Sequence, residues 1–468
     1  MAYPRIIHFG TGLLLLLAGC RSARSLYDPE FIQVLRDSDQ SWESVDPVTP
    51  ALPPADPALQ GPQPVSALIA MALDRNPNVQ AARKRLESLA LKVPAAASLQ
   101  DPNLAMTFFP AAVETAAGAQ EFALGVNQKF PWFRKLDTRA GIAESEANVA
   151  RARLAEVELE TIAGVKQAYY ELYYLQQAIK TTRTEQQLLA ELRDVANARY
   201  QAGRVSQQDV LRADLEISQI ESELIRLDQQ LVSAQARLAQ WLHIDPSTKL
   251  LADLREAMNR VPDDLAWLQR RAVAARPALH AQLAALERDR QAVGLAQLDY
   301  YPDVTLGLNW IEVGNSGISP VTNGRDSVLL TAGLNLPIYR KRLRANVRSA
   351  EAKAVETARQ YDRIRDETLQ GVVDLFATAR SQQDLLELFR TDILPKARQT
   401  LEVSTRAYNV GEVDFLQLID NWRKLLRYEV TYYRLEASLQ QTMAQLERLI
   451  GGWGGVPAGP QPAAPNNQ

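Results

Sequence analysis

The chain has 468 residues, 46% of them hydrophobic and 23% charged, with a formal net charge of −3 and a mean hydropathy of −0.22. The near balance of charge excludes the basic excess of a nucleic-acid binder, and a single cysteine excludes a disulfide framework or a Cys-rich metal cluster. Only residues 11–19 form a strongly apolar run, well short of the roughly 20 residues that a spanning helix needs, so composition alone describes a soluble, helix-rich globular protein.

Residues 1–19 read as a secretory signal peptide. Arg5 gives the positive start, and Gly12 to Ala18 give a short apolar core. The segment runs into Leu17-Ala18-Gly19-Cys20, which resembles a bacterial lipobox. Cys20 is therefore expected to become the first mature residue and to carry lipid, including palmitate. Arg21 stands where an aspartate would resemble an inner-membrane retention signal, which directs the expectation to the outer membrane. Firm anchoring by lipid usually takes two signals, which leaves room for another membrane contact. Residues 20–64 are the lipid-anchored N-terminal segment. Seven prolines between 46 and 64 make its end an extended tether. The Gly/Pro/Asn-rich stretch 450–468 reads as a disordered tail.

The remainder is written twice. Arg75-Asn76-Pro77 recurs as Ala275-Arg276-Pro277, and Pro102-Asn103-Leu104 as Pro302-Asp303-Val304, both at an offset of 200. Gly125-Val126-Asn127 recurs as Gly333-Leu334-Asn335, and the run from Tyr200 to Val205 as that from Tyr408 to Val413, at an offset of 208. The repeats span 65–243 and 262–449, with a linker at 244–261. The change of offset between residues 104 and 125 marks an insertion, which points to a loop.

Each repeat predicts the same elements. A helical segment at 65–99 or 262–300 ends at Pro102 or Pro302. Strands follow at about 103–110 and 121–130, or 303–313 and 327–337. In 303–310, for example, Val304, Leu306, Leu308 and Trp310 alternate with Thr305, Gly307 and Asn309. One apolar face and one small or polar face is the pattern of a membrane barrel strand. Phe108, Phe109, Phe130, Trp132, Phe133, Tyr300, Tyr301 and Tyr339 sit where aromatic girdles belong. The proline-free run 132–200 then predicts one helix of about 104 Å. Its apolar seam includes Ala147, Ala150, Leu154, Val157, Thr161, Val165, Leu172 and Ile179. Residues 338–408 give its counterpart, with a kink at Pro395. Return helices at 205–243 and 413–449 follow the Gly203 and Gly411 turns. Four strands cannot close a barrel in lipid, where open edges are forbidden. Two copies would give a barrel of about eight strands, whose interior is filled by side chains, and three would give about twelve, so an open channel favours three.

On these features the chain resembles the TolC-like outer-membrane factor family of lipoprotein type. The segment Gln128 to Leu136 and the run Ala168 to Leu175 look most like its heavy-metal-efflux (CusC/CzcC-like) branch. The resemblance implies a mainly α fold with a small β part. A duplicated coiled-coil tunnel would carry four strands per chain, closing as a homotrimer into a twelve-stranded transmembrane barrel. The implied partners are outer-membrane lipid, a periplasmic adaptor (membrane fusion) protein and an inner-membrane pump of RND type. The implied adaptor-docking tips are Tyr200, Gly203, Val205, Ser206, Tyr408, Gly411, Glu412 and Val413. Asp420 matches an inward-facing gate aspartate of the family, and Gln417 occupies a gate position that is acidic in some members.

No enzyme chemistry is legible. His8 lies in the signal peptide, His243 and His280 lie in different repeats, and no catalytic triad, phosphate loop or paired ligand spacing occurs. The expectation is a passive trans-periplasmic exit duct for small molecules or metal ions, with no cofactor beyond the lipid at Cys20. The alternatives are an exit duct for polypeptides and a periplasmic coiled-coil lipoprotein that forms no channel.

Overall fold

The computed structural model describes residues 31–34, 59, 61–253 and 261–453. Cys20, the signal peptide, nearly all of the tether and the tail from 454 lie outside the described residues. The chain divides into two units, Met1–Pro54 and Ala55–Gln468. Of the first, only the helical residues 31–34 are described.

The first repeat contains β1 (Pro62–Gln63), α1 (Val65–Arg75), α2 (Pro77–Ala97), β2 (Asn103–Thr115), β3 (Gly118–Phe130), α3 (Lys135–Gln201) and α4 (Gln207–Leu242). After β4 (Leu251–Ala252), the second contains α5 (Leu265–Ala275), α6 (Pro277–Leu298), β5 (Val304–Val313), β6 (Ser327–Leu334), α7 (Arg340–Leu388), α8 (Leu394–Val410) and α9 (Phe415–Leu449). The end of the proline-rich stretch is held in place. Pro62 and Gln63 pair in parallel with Leu251 and Ala252, fastening the start of one repeat to the linker before the other.

The helical segments before the strands are each broken once. Pro77 and Pro277 start new helices, since a proline lacks the N–H that would continue the preceding one. The side chain of Asn76 accepts from the Asn78 N–H at 2.9 Å and donates to the Trp241 carbonyl at 3.0 Å. That contact seats the break on the end of α4.

The α3 helix has 67 residues and is about 100 Å long. Between Tyr169 and Ile179 every residue except the half-buried Glu171 and Gln176 is buried, as suits a helix wrapped by others. Its counterpart is interrupted. Residues Phe389–Ile393 form a π-helical turn between α7 and α8. Pro395 would leave the Thr391 carbonyl without its N–H partner and push against it, and the wider turn relieves the clash.

Packing follows one lateral order at every level. The sheet runs β2-β3-β5-β6, all antiparallel. Beside it, α3 packs on α2 and α6, and α6 on α7. At the other end, α3 packs on α4 and α9, and α9 on α7 and α8. One edge of the unit is therefore β2, α2 and α4, and the opposite edge is β6, α7 and α8. Both sheet edges leave backbone groups unpaired within the chain.

Two expectations about the hairpins change. The first hairpin runs on to Thr115 and turns tightly through Ala116 and Ala117, although the alternation lapses at Pro110. A bulge between Phe108 and Val113 absorbs the irregularity. The extra residues instead form the second copy's loop, 314–326, which folds over the first turn: the Ser319 N–H donates to the Ala116 carbonyl and the Gly324 N–H to that of Ala117, both at 2.9 Å. Phe108 and Phe109 consequently lie within a strand rather than at its end. β6 stops at Leu334, short of 337.

Candidate functional site

Register turns the sheet into a two-faced wall. Leu104, Val126, Leu308 and Leu330 face one another across the four strands in one row, and Met106, Leu124, Trp310 and Val328 in another. Phe108 packs on Phe122 with ring centroids 5.0 Å apart. The alternate rows hold Asn103, Asn127, Gly307 and Thr331, then Ala105, Gly125, Asn309 and Leu329. The asparagine side chains on this second face lie directly over Gly125 and Gly307, where any Cβ would collide with them. Small residues suit the concave, inner face of a curved sheet. From Phe122 to Phe130 the apolar face runs about 27 Å along the strand. A barrel tilt of about 40° reduces that to roughly 20 Å, comparable to the band of about 25 Å in outer-membrane barrels.

The sheet is locked to the helices by one buried carboxylate. Asp303 accepts from the buried Lys135 ammonium at 2.8 Å and from the Trp132 N–H at 3.0 Å, and pairs with Lys129 at 3.1 Å. Trp132 stacks on Tyr301 with centroids 5.4 Å apart. Strand ends and helix starts of both repeats thus share a single electrostatic joint. Sequence reasoning missed it, because Lys135 is buried only by its contact with Asp303 of the other repeat.

The seam between α3 and α9 joins the repeats along the helices. Tyr173 donates to Glu436 at 2.8 Å, Arg434 pairs with Glu171 at 2.6 Å, and Lys166 pairs with Glu447 at 2.5 Å. Glu185 lies deeper, 7% exposed and with one carboxylate oxygen unpartnered. Burial and then the neighbouring Glu429 push its pKa up to about 7, against weaker opposition from Trp422 and Arg398.

The two helical turns are not equivalent. Gly203 and Gly411 both adopt positive φ, 67° and 91°, ending their helices tightly. Ser206 caps α4 and Asp414 caps α9 by accepting backbone N–H groups. Tyr200, Gly203, Ser206, Gly411 and Glu412 are exposed, and Val205 and Val413 half-buried. Tyr408 differs from the expectation. It is 2% exposed, packed on Phe415, with the Arg199 guanidinium 4.6 Å above its ring. Burial, then the nearby Asp209 carboxylate, pushes its hydroxyl up to about 12. Its sequence match to the exposed Tyr200 gives no sign of this, since the difference comes from Arg199 of the other repeat.

Gln417 and Asp420 lie exposed one turn apart on α9. Asp420 pairs with Lys424 at 2.7 Å, so its charge is partly compensated within the helix. Arg423, the residue before Lys424, reaches across to Glu216 on α4 at 2.9 Å. His280 is exposed and His243 caps α4. Among the described residues no group of three or more His, Cys, Asp or Glu side chains could hold a metal ion, and no helix is long and apolar enough to cross a membrane.

The family model described as "Outer membrane efflux protein" matches residues 68–242 and 268–452. The cobalt-zinc-cadmium resistance protein CzcC of Cupriavidus metallidurans is 24% identical over 84% of this chain and 90% of its own length. The solved structure of CusC superposes with a TM-score of 0.71 at 18% identity, covering 86% of this chain and 98% of that one. VceC from Vibrio cholerae gives a TM-score of 0.70 at 22% identity, covering 83% and 96%.

Proposed function

Given that the chain belongs to the outer membrane efflux protein family, and so is the outer-membrane channel component of a tripartite efflux system rather than an enzyme, we propose that it works as a homotrimer exporting metal ions. The observation that carries the trimer is the pair of unsatisfied edges. The edge formed by α4 exposes Leu211, Leu215, Ile225 and Val232, and the edge formed by α7 exposes Val355, Val373, Leu385 and Leu388. These edges lie on opposite sides of one lateral order that also leaves β2 and β6 unpaired. Head-to-tail joining of such edges generates a ring when the rotation closes, and lipid, which forbids leaving the strands open, requires that it close. Three copies close about twelve strands around water.

In that assembly Cys20 carries the lipid anchor and the apolar rows face hydrocarbon. The Gly203 and Gly411 turns form the tips that dock a periplasmic adaptor, through Tyr200, Val205, Ser206, Glu412 and Val413. Tyr408 supports the second tip from within. An inner-membrane pump of RND type supplies the energy, since the duct itself is passive. Asp420 lines the periplasmic mouth beside Gln417 as an anionic ring, tempered by Lys424. Replacing Asp420 by Ala should raise single-channel conductance in planar bilayers, and an unchanged conductance counts against the gate.

Metal as cargo is supported by the similarity to CzcC over most of both chains. A deletion strain tests the cargo. Raised sensitivity to cobalt, zinc and cadmium, reversed by the intact gene, supports metal export. Sensitivity confined to organic compounds, or loss of a secreted polypeptide, transfers the duct to another cargo.

A further inference from the structure

The two ends of the β-sheet differ in charge. The end beneath the 314–326 loop carries Glu114, Glu121, Glu312 and Asp326, all exposed, against Arg325. The opposite end is aromatic and then strongly basic. After the last strand row, Phe130, Val304 and Leu334, the chain exposes Leu336, Ile338 and Tyr339, and then Arg340, Lys341, Arg342 and Arg344 within the first five residues of α7. Arg134 stands at the same level, after Trp132 and Phe133.

This basic cluster does nothing for its own helix. Cations at a helix N-terminus oppose the helix dipole, at a cost of about 0.3–1 kcal/mol each when exposed, and the first turn of α7 has no acidic residue to offset them. Among the described residues, none of Arg340, Lys341, Arg342 and Arg344 has a carboxylate within ion-pair distance. Arg340 and Arg342 instead lie over the rings of Tyr300 and Tyr339, at 5.4 and 5.7 Å. A shallow depression of about 680 Å³ opens among Ile338, Tyr339, Arg340, Lys341 and Arg342. The opposite edge of the unit, which would meet this one in a ring, offers at residues 97–103 a single carboxylate, Asp101. That stretch of a neighbouring copy would set one negative charge against four positive ones.

We propose that this rim is a binding site for anionic phospholipid headgroups of the leaflet facing the helical part of the molecule. The occupant follows from the vertical order of the residues. Acyl chains would lie against the apolar rows and Leu336, the interfacial region would meet Ile338 and Tyr339, and the phosphates would meet the guanidinium and ammonium groups. Residues 340 to 344 span about 6 Å of helix, the depth of one headgroup layer beside a hydrocarbon core of about 30 Å. Basic clusters directly beyond a spanning segment attract anionic lipid, and Arg holds phosphate through paired N–H groups. The acidic far end repels the same lipid. The site thereby favours one orientation of the barrel and supplies a protein–membrane contact independent of Cys20.

This inference rests on the reading of the sheet as a membrane barrel, and the test separates the two. The full chain and the variant Arg340→Gln/Lys341→Gln/Arg342→Gln/Arg344→Gln are purified as oligomers and reconstituted. Bound lipid is counted by native mass spectrometry from mixtures of phosphatidylglycerol and phosphatidylcholine, with inorganic phosphate as a competitor. The intact protein should retain phosphatidylglycerol about tenfold over phosphatidylcholine at low salt. The variant should fall below about threefold while conducting normally, and millimolar phosphate should leave the preference in place. Equal retention of both lipids by the intact protein overturns the inference. So does complete displacement by phosphate, which would mark a soluble-anion site. Loss of the oligomer in the variant, with lipid preference unchanged in the intact protein treated with 1 M salt, assigns these cations to contacts between chains and overturns it too. Failure of the intact protein to insert and conduct overturns the barrel reading itself.

Discussion

The long helices α3 and α7 descend from one plan and end in opposite environments. α3 buries residues along its whole length and is wrapped by α2, α4, α6 and α9. α7, with 49 residues, buries only Leu343, Thr357, Thr368, Val372 and Ala379, and exposes valines and leucines between Val355 and Leu388. A helix with so little burial gains little from its own chain. The duplicated sequence thus makes one self-sufficient wall segment and one that waits for a neighbour.

The comparison can be broken first at the joint that both repeats share. Lys135→Ala leaves the buried Asp303 carboxylate with only the exposed Lys129 as a cation, and should destabilise by about 3–5 kcal/mol. Chemical unfolding of the detergent-solubilised protein checks this, and a loss under 1 kcal/mol would show that the joint is dispensable.

Truncation of the two long helices should then separate core from edge. Leu172→Ala, in the fully buried stretch of α3, should cost about 2–5 kcal/mol. Val373→Asp, on the exposed side of α7, should change the stability of a single chain by about 0.5 kcal/mol or less yet abolish the oligomer on an unheated gel. An intact oligomer would remove α7 from the interface.

Between the repeats, Glu185 gives the seam a pH dependence. Its folded pKa lies above the unfolded one, so its contribution is fully present below about pH 4.5 and is lost as pH rises through about 7. Glu185→Gln should therefore raise stability by roughly 2–3 kcal/mol at pH 8 and change it little at pH 4. Thermal unfolding at both values measures the difference, and equal effects would contradict it.

The smallest effect belongs to the tips. Gly411→Ala places a Cβ at positive φ and 3.3 Å from Arg199, whereas Gly203→Ala meets open space. Each should cost about 1 kcal/mol for the backbone, with Gly411 the larger. Equal losses would show that Arg199 gives way freely.

Much of this was legible beforehand because it depends on local pattern. Proline spacing, the run from Lys135 to Gln201 and the alternation in 303–310 specify lengths and faces without reference to neighbours. The failures come where a distant residue decides. The strand expected to end near residue 110 runs on, because pairing with β3 carries β2 to Thr115. Tyr408 looked like Tyr200 until Arg199 covered it. Lys135 and Glu185 resemble surface charges, and only the packing of α3 against the second repeat buries them. Pro395 announced an irregularity but not its form, because a π turn and a simple kink make the same demand on sequence.

A closed channel requires that the unpaired edges of one chain be satisfied by two others. Native mass spectrometry of the protein extracted from the outer membrane addresses it directly. Three chains in the intact complex are the predicted result, and a stable monomer or dimer that still conducts would contradict it.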